Sequence, residues 1–221
     1  MAHITINFKS KALNMPVMLD VLLPEHSTGC KTLYLLHGWG GDRESFLLRT
    51  RLAEYLEGTG IAVVMPSGNN KFFINNKHGK AYQDFLTKEL ISQMEIWFAV
   101  SKKPEDRFIA GADMGGFGAL MAAADCPGTY HTAFSYSGPF ELQAQCAALQ
   151  VRDRMPVFGD AETASAAVLE LAMKLEAAEK SETKFIIYSK ETSKKEGWTY
   201  LNECVKRTVE YVAAGGDMTW Q

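Results

Sequence analysis

The chain has 221 residues, of which 47% are hydrophobic and 22% are charged, so it is long enough to bury a sizeable core. Its 23 basic and 26 acidic residues give a formal net charge of −3 without long blocks of one sign, which argues against a nucleic-acid-binding or membrane-binding surface. The N-terminal residues lack the pattern of a signal peptide and no apolar run could span a bilayer, so we expect a cytoplasmic protein.

Strand patterns recur along the whole chain. Residues 3–8 alternate with period two and residues 17–24 do so in part, which predicts two strands near one edge of a sheet. The nearly continuous apolar run at 32–38 is typical of a strand buried on both faces. Further strands are predicted over 61–66, 107–112, 131–138, 184–189 and 208–214.

Helical patterns separate these strands. Helices are predicted over 44–60, 83–100, 117–126, 163–180 and 197–207. Strands that alternate with helices indicate a parallel sheet covered on both faces by crossover helices. We therefore expect an α/β, doubly wound fold with a mostly parallel sheet. Because no linker-like segment interrupts the chain, we expect residues 1–221 to form one domain.

Two turns carry chemical information. The sequence GADMGG, residues 111–116, lies between a predicted strand and a predicted helix, which is the context of the nucleophile elbow Gly-x-Ser-x-Gly, with Asp113 at the serine position. The sequence LLHGWGG, residues 35–41, ends a strand in a turn of the kind that supplies a backbone N–H to an oxyanion hole. The two backbone donors would be Trp39 and Met114.

Five segments together resemble the esterase D and tributyrin esterase group of the α/β-hydrolase superfamily, which includes S-formylglutathione hydrolase-like esterases. They are, in chain order, TLYLLHGWGGDRESF, GIAVVMPSGN, FIAGADMGGFGALMAA, SYSGPF and VFGD. The resemblance implies an α/β-hydrolase fold and hydrolysis of short acyl esters or S-formylglutathione by a serine, an acid and a histidine, without a cofactor. The family usually continues into a final helix, which we expect to be missing here.

The residues that match the triad positions are not those of the family. The serine position is Asp113. The acid position, after the strand at 184–189, is Thr192 or Glu191, and the histidine position is Met218. The resemblance therefore implies a pseudoenzyme that retains a role in binding a small acyl-type ligand or in regulation. A laboratory substitution would change one position and not three, so natural loss is the preferred hypothesis.

Asp113 itself allows two interpretations. It could be a carboxylate nucleophile, as in haloalkane dehalogenases and epoxide hydrolases, in which case the protein is an active hydrolase that needs a base to activate water. Alternatively it caps the following helix by accepting the N–H of Gly115 or Gly116, and its carboxylate occupies the donors of the oxyanion hole. The second interpretation is the one we favour, because no histidine follows His131 in the chain.

The remaining expectations concern the pocket and its partners. His37, Phe72 and Phe73 are predicted to line a small apolar site, although the two phenylalanines could equally anchor their loop. Four scattered cysteines lack ligand spacing, so no metal site is expected. We expect a small-molecule ligand, neither nucleic acid nor membrane as a partner, and leave a homo-oligomer open.

Overall fold

The computed structural model describes residues 1–75, 80–138, 166–167, 170–175, 183–188 and 197–216. Seven strands form one sheet in the order β1-β2-β4-β3-β5-β6-β7. The strands are β1 (Ala2–Ser10), β2 (Met15–Leu23), β3 (Lys31–Leu36), β4 (Ile61–Pro66), β5 (Arg107–Ala112), β6 (Thr132–Tyr136) and β7 (Lys184–Tyr188).

The sheet is antiparallel at one edge and parallel elsewhere. β1 pairs with β2 and β2 with β4 in antiparallel register, whereas β4, β3, β5, β6 and β7 are parallel neighbours. Every residue of β4 and of β5 is buried, because hydrophobic clusters cover both faces of the sheet. The mostly parallel sheet with helices on both faces confirms the predicted fold class.

Helices connect the parallel strands. They are α1 (Ser45–Arg49), α2 (Leu52–Tyr55), α3 (Tyr82–Asp84), which continues through a π-helical segment at Phe85–Leu90 into α4 (Ile91–Phe98), α5 (Met114–Asp125) and α6 (Gly197–Ala213). Part of the helix predicted over 163–180 is present, since residues 170–175 are helical. None of the helices that the structure describes is both long and apolar enough to cross a bilayer.

The helix predicted over 44–60 is wrong as a single element. Thr50 is extended, with φ −128° and ψ 173°, and separates α1 from α2. Its hydroxyl donates to the carbonyl oxygen of Phe46 at 2.6 Å and accepts the backbone N–H of Leu52 at 3.3 Å. A threonine side chain that bonds the backbone in this way competes with the helical hydrogen bonds.

The strand predicted over 208–214 is also wrong, because α6 continues to Ala213. The buried residues of this segment recur at helical spacing: Cys204, Val205, Thr208, Val209, Tyr211 and Val212. β-branched and aromatic residues raise strand propensity, but packing of this face against the sheet overrides that preference. In the part of the chain that the structure describes, β7 is therefore the strand at the parallel edge of the sheet.

Candidate active site at the nucleophile elbow

The elbow is a sharp turn between β5 and α5. Asp113 has φ 51° and ψ −117°, and its backbone N–H donates to the carbonyl oxygen of Tyr136 at 3.0 Å. A non-glycine residue with positive φ is strained and persists only where its surroundings hold it. A Cβ atom at Gly115 would lie far inside van der Waals contact with the carbonyl oxygen of Leu36. The glycine thus lets α5 begin against the end of β3.

The loop after β3, residues 37–41, faces Asp113. The backbone N–H of Trp39 donates to Asp113 Oδ2 at 2.9 Å. Trp39 was predicted to supply an oxyanion-hole donor, and its N–H here points at a carboxylate oxygen. The predicted cap to Gly115 or Gly116 is wrong, because the Asp113 side chain makes no capping hydrogen bond to α5. The carboxylate is turned toward the loop and not along the helix.

Met114, the second predicted donor, is the first residue of α5. A backbone N–H in the first turn of a helix has no partner within the helix, so this group is able to bind an oxygen atom at the elbow. The Met114 side chain is fully buried under the sheet. Its contribution to a site would therefore come from the backbone, as the sequence predicts.

His37 is a structural residue of the same loop. Its Nδ1 lies 2.8 Å from the Gly38 carbonyl oxygen, and the Gly68 backbone N–H donates to its Nε2 at 2.9 Å. We assign the neutral tautomer with the proton on Nδ1, because the carbonyl needs a donor and the N–H needs an acceptor. Burial of the ring lowers the pKa of His37. The neutral imidazole bonds to the backbone through both ring nitrogens and so fixes the conformation of the loop.

Phe72 and Phe73 lie in the core behind the same loop. Their exposed fractions are 1% and 0%, and their rings pack 5.5 Å from Trp39 and 5.3 Å from His37 between centroids. Both have positive φ, of 56° and 54°, so the loop makes a tight turn at this point. This burial favours the anchoring alternative over the lining of a ligand site.

A cleft of about 290 Å³ opens beside Asp113. The loop after β3 and the elbow form one side, and α1 and α6 form the other. The lining includes Trp39, Asp113, Arg49, Trp198 and Leu201. The guanidinium carbon of Arg49 lies 5.2 Å from the centroid of the Trp198 ring. Sequence analysis missed Arg49 and Trp198, because they lie far apart in the chain and neither belongs to a motif.

Asp20, in the antiparallel part of the sheet, binds Arg43, which follows the loop after β3. This carboxylate on β2 is fully buried, and Arg43 Nε lies 3.1 Å from its Oδ2 in an ion pair. Thr5 Oγ1 donates to Asp20 Oδ1 at 2.6 Å, and His3 Nε2 lies 3.1 Å from the same oxygen. The sequence contained a hint of this contact in the lone acidic residue of a strongly apolar strand.

The other triad positions lie outside the described residues: Thr192, Glu191 and Met218. Their assignments stay predictions. The described chain reaches Gly216 directly from α6.

Comparison with known proteins agrees with this architecture. Residues 10–203 match the family described as "Putative esterase". An acetyl esterase of Caldicellulosiruptor saccharolyticus is 35% identical over 132 residues, which cover 54% of this chain and 50% of that protein. An esterase of Mycobacterium tuberculosis is 32% identical over 149 residues, covering 62% and 32% respectively. The chain spans about half the length of the first relative and about a third of the second.

Solved structures share the fold. A fluorophosphonate-binding serine hydrolase of Staphylococcus aureus superposes with a TM-score of 0.77 at 23% identity, covering 96% of this chain and 98% of that one. An S-formylglutathione hydrolase of the same organism has a TM-score of 0.72 at 23% identity, with the same coverage. At this level of identity the likeness shows a common fold.

Proposed function

This chain belongs to the esterase family, and we propose that it keeps the fold and the cleft of that family without hydrolysing esters. One observation carries the proposal: Asp113 Oδ2 accepts the Trp39 N–H at 2.9 Å. In an ester hydrolase, backbone donors at this place stabilise the oxyanion of the transition state. Here a carboxylate engages one donor, and its charge repels the negative oxygen that would develop beside it.

Three of the four histidines among the described residues support the same proposal. His37 is buried and uses both ring nitrogens to hold its loop. His131 precedes β6, at the opposite end of the parallel strands from Asp113, and its backbone bonds to Arg107 at the start of β5. His3 contacts Asp20. None of these three positions suits a general base at Asp113, which would need to lie within hydrogen-bond reach of the reacting water.

The residues predicted at the acid and histidine positions add to the argument. Thr192 or Glu191 and Met218 are not the aspartate and histidine of the family. Triad groups act as a unit, so that once one is lost the others contribute little to catalysis. We therefore propose a pseudoenzyme whose remaining activity is to bind a small ligand, by itself or as part of a regulatory system.

The test is hydrolysis of p-nitrophenyl acetate. We expect the purified protein to release p-nitrophenol no faster than the same sample after heat denaturation. A restoration series, Asp113→Ser alone and then with Thr192→Asp and Met218→His, asks whether the scaffold can be reactivated. Turnover by the unmodified protein that Asp113→Asn abolishes would contradict the proposal.

The alternative is an active hydrolase with Asp113 as a carboxylate nucleophile. The observation in its favour is the positive φ of Asp113, since the same turn presents the nucleophile of elbow hydrolases. In such a mechanism an Asp113 oxygen attacks an alkyl carbon of the substrate and displaces the leaving group with its bonding electrons, and water then hydrolyses the resulting ester at the carboxyl carbon of Asp113. Turnover in H₂¹⁸O would leave the label in Asp113, and peptide mass spectrometry would detect it. Activity without incorporation of the label would exclude this route.

A further inference from the structure

We infer that the outer edge of β1 joins two copies of this chain in an antiparallel, two-fold symmetric dimer, in which the two sheets become one continuous sheet. The inference is independent of the proposed function, because no residue of β1 lines the cleft beside Asp113. It depends on the outward backbone groups of β1, on the side chains that alternate along the strand, and on Trp97 beside it.

The outward backbone groups of β1 belong to alternate residues. The Ser67 N–H donates to the Met18 carbonyl oxygen at 3.0 Å, so Met18 directs its backbone polar groups away from β1. Because this direction alternates along a strand, the odd-numbered residues of β2 face β1, and the even-numbered residues of β1 face them across an unbroken register. Within the residues that the structure describes, β2 is the one strand beside β1. The outward N–H and C=O groups are therefore those of His3, Thr5, Asn7 and Lys9.

β1 lacks the features that usually protect an edge strand from pairing with another chain. It runs in continuous register with β2 from Ala2 to Ser10, without a bulge, and it contains no proline. Its one lysine, Lys9, lies near its end. Ser10 is buried, and its hydroxyl donates to Glu89 Oε2 at 2.5 Å, so the exposed part of the edge ends there. Residues 3–9 thus present a regular edge that can accept a further strand.

A second copy of β1 fits this edge. Pairing about a two-fold axis at Ile6 sets Thr5 of one copy opposite Asn7 of the other. The same register sets His3 opposite Lys9, so outward-facing residues meet outward-facing residues along 3–9. Each of these pairs exchanges two N–H···O=C hydrogen bonds. The two copies of Lys9 lie at opposite ends of the paired strands, so the register keeps their like charges apart.

The apolar side chains of β1 continue across the same axis. Ile4, Ile6 and Phe8 are half-buried against the core cluster to which α4 contributes. In the dimer Ile6 lies opposite Ile6 and Ile4 opposite Phe8, as non-hydrogen-bonded pairs, whose side chains approach most closely. Trp97 on α4 keeps 39% of its area exposed and packs edge-on against Phe8, with 5.1 Å between ring centroids. A second strand beside Phe8 would cover part of this indole, and aromatic residues of this kind are enriched at interfaces.

The size of the contact sets the expected affinity. The paired segment spans roughly 25 Å, and its apolar part consists of three side chains and one indole from each copy. This contact is smaller than the roughly 1,600 Å² of a standard stable interface. We therefore expect a reversible dimer with a dissociation constant in the micromolar range.

Sedimentation velocity of the intact protein, from micromolar to submillimolar concentration, tests for this dimer. Asn7→Pro removes an outward N–H that the β1–β2 pairing does not use, and it should raise the dissociation constant at least about tenfold. Asn7→Thr keeps that N–H and should dimerise as the wild type does. Trp97→Ala should weaken the dimer several-fold. Leu48→Ala removes another exposed apolar side chain, on α1, and should leave the dimer unchanged.

A cross-link tests the register. The two copies of Ile6 would lie roughly 4.5 Å apart between Cα atoms, within the range of a disulfide. Ile6→Cys, oxidised with diamide, should give a covalent dimer, and peptide mass spectrometry should locate the disulfide between position 6 of both copies. Lys9→Cys is the matched control on the same strand, because the two copies of that position would lie roughly 20 Å apart.

Circular dichroism during heating checks that each variant is folded. A wild-type protein that stays monomeric over the whole concentration range would overturn the inference. A dimer that a folded Asn7→Pro variant leaves intact, or cross-linking of Lys9→Cys as readily as of Ile6→Cys, would also overturn it. If Asn7→Pro does not fold, Trp97→Ala and the cross-link decide, since neither requires a proline in the strand.

Discussion

The Trp39 backbone N–H and the Asp113 carboxylate are joined by a hydrogen bond of 2.9 Å between the loop after β3 and the nucleophile elbow. The bond connects two turns at the carboxyl ends of neighbouring strands β3 and β5, which are parallel and in register. In this fold these turns are separate contributors to an acyl-transfer site. Here a hydrogen bond joins the two turns. The Trp39 N–H, which would bind a substrate oxygen in an active esterase, therefore already has an acceptor within the protein.

Substitutions of Asp113 should separate two contributions to the free energy of unfolding, that of this hydrogen bond and that of the strained backbone. Asp113→Ala and Asp113→Gly both remove the acceptor, whose bond to a charged group is worth about 1.5 to 3 kcal/mol. Glycine also adopts the positive φ of 51° without strain, whereas alanine is strained there. We expect both variants to be less stable than the wild type, and Gly to be about 1 kcal/mol more stable than Ala in urea unfolding. An alanine variant as stable as the glycine variant would contradict this.

The close approach of α5 to β3 makes Gly115 sensitive to substitution. A Cβ atom there would collide with backbone carbonyl groups of Leu36 and His37, which cannot move without displacing β3. We expect Gly115→Ala to lower the free energy of unfolding by about 3 kcal/mol or more.

Gly40 provides the matched control for that substitution. Its φ is 73°, but a Cβ atom would have no neighbour within 4 Å. Gly40→Ala therefore introduces backbone strain without a collision, and it should lower the free energy of unfolding by about 1 kcal/mol. Circular dichroism during urea unfolding measures both variants. Equal losses would mean that α5 can shift away from β3, contrary to the packing described above.

The elements near the elbow could be predicted from sequence because their signals are local. β5 is the run of buried residues predicted over 107–112, and α5 contains most of the helix predicted over 117–126 but begins three residues earlier, at Met114. The turn at residues 35–41 indicated that the Trp39 N–H faces the elbow, whereas its role as an oxyanion-hole donor stays a prediction. These features depend on neighbours in the chain, so one sequence is enough to indicate them.

Other features depend on tertiary contacts and were not predictable in the same way. The end of α6 has strand-forming residues, and its helical state is decided by the face that packs on the sheet. The orientation of the Asp113 side chain depends on where the loop after β3 lies. The pairing of Arg49 with Trp198 joins α1 to α6, and no spacing in the chain encodes it.

His37 should make stability depend on pH. Burial lowers its pKa below the ordinary value near 6.5, so the unfolded chain binds a proton at higher pH than the folded protein does. The free energy of unfolding should therefore fall as the pH decreases through 6.5, by up to about 1.4 kcal/mol per pH unit. Urea unfolding between pH 7.5 and 5.5 measures the slope. His37→Gln should flatten it, and an equal slope in that variant would assign the effect to other groups.

The Asp20–Arg43 ion pair should stabilise the segment that follows the loop carrying Trp39. Arg43→Met leaves a carboxylate with no exposed area and removes its cationic partner, which we expect to cost about 3 kcal/mol of stability. Thr5→Val removes a neutral donor to the same carboxylate and should cost about 1 kcal/mol. Asp20→Asn should reduce the cost of Arg43→Met, because the charge that needs the arginine is then gone. Additive losses in this double-mutant cycle, measured by urea unfolding, would show that the two side chains do not interact.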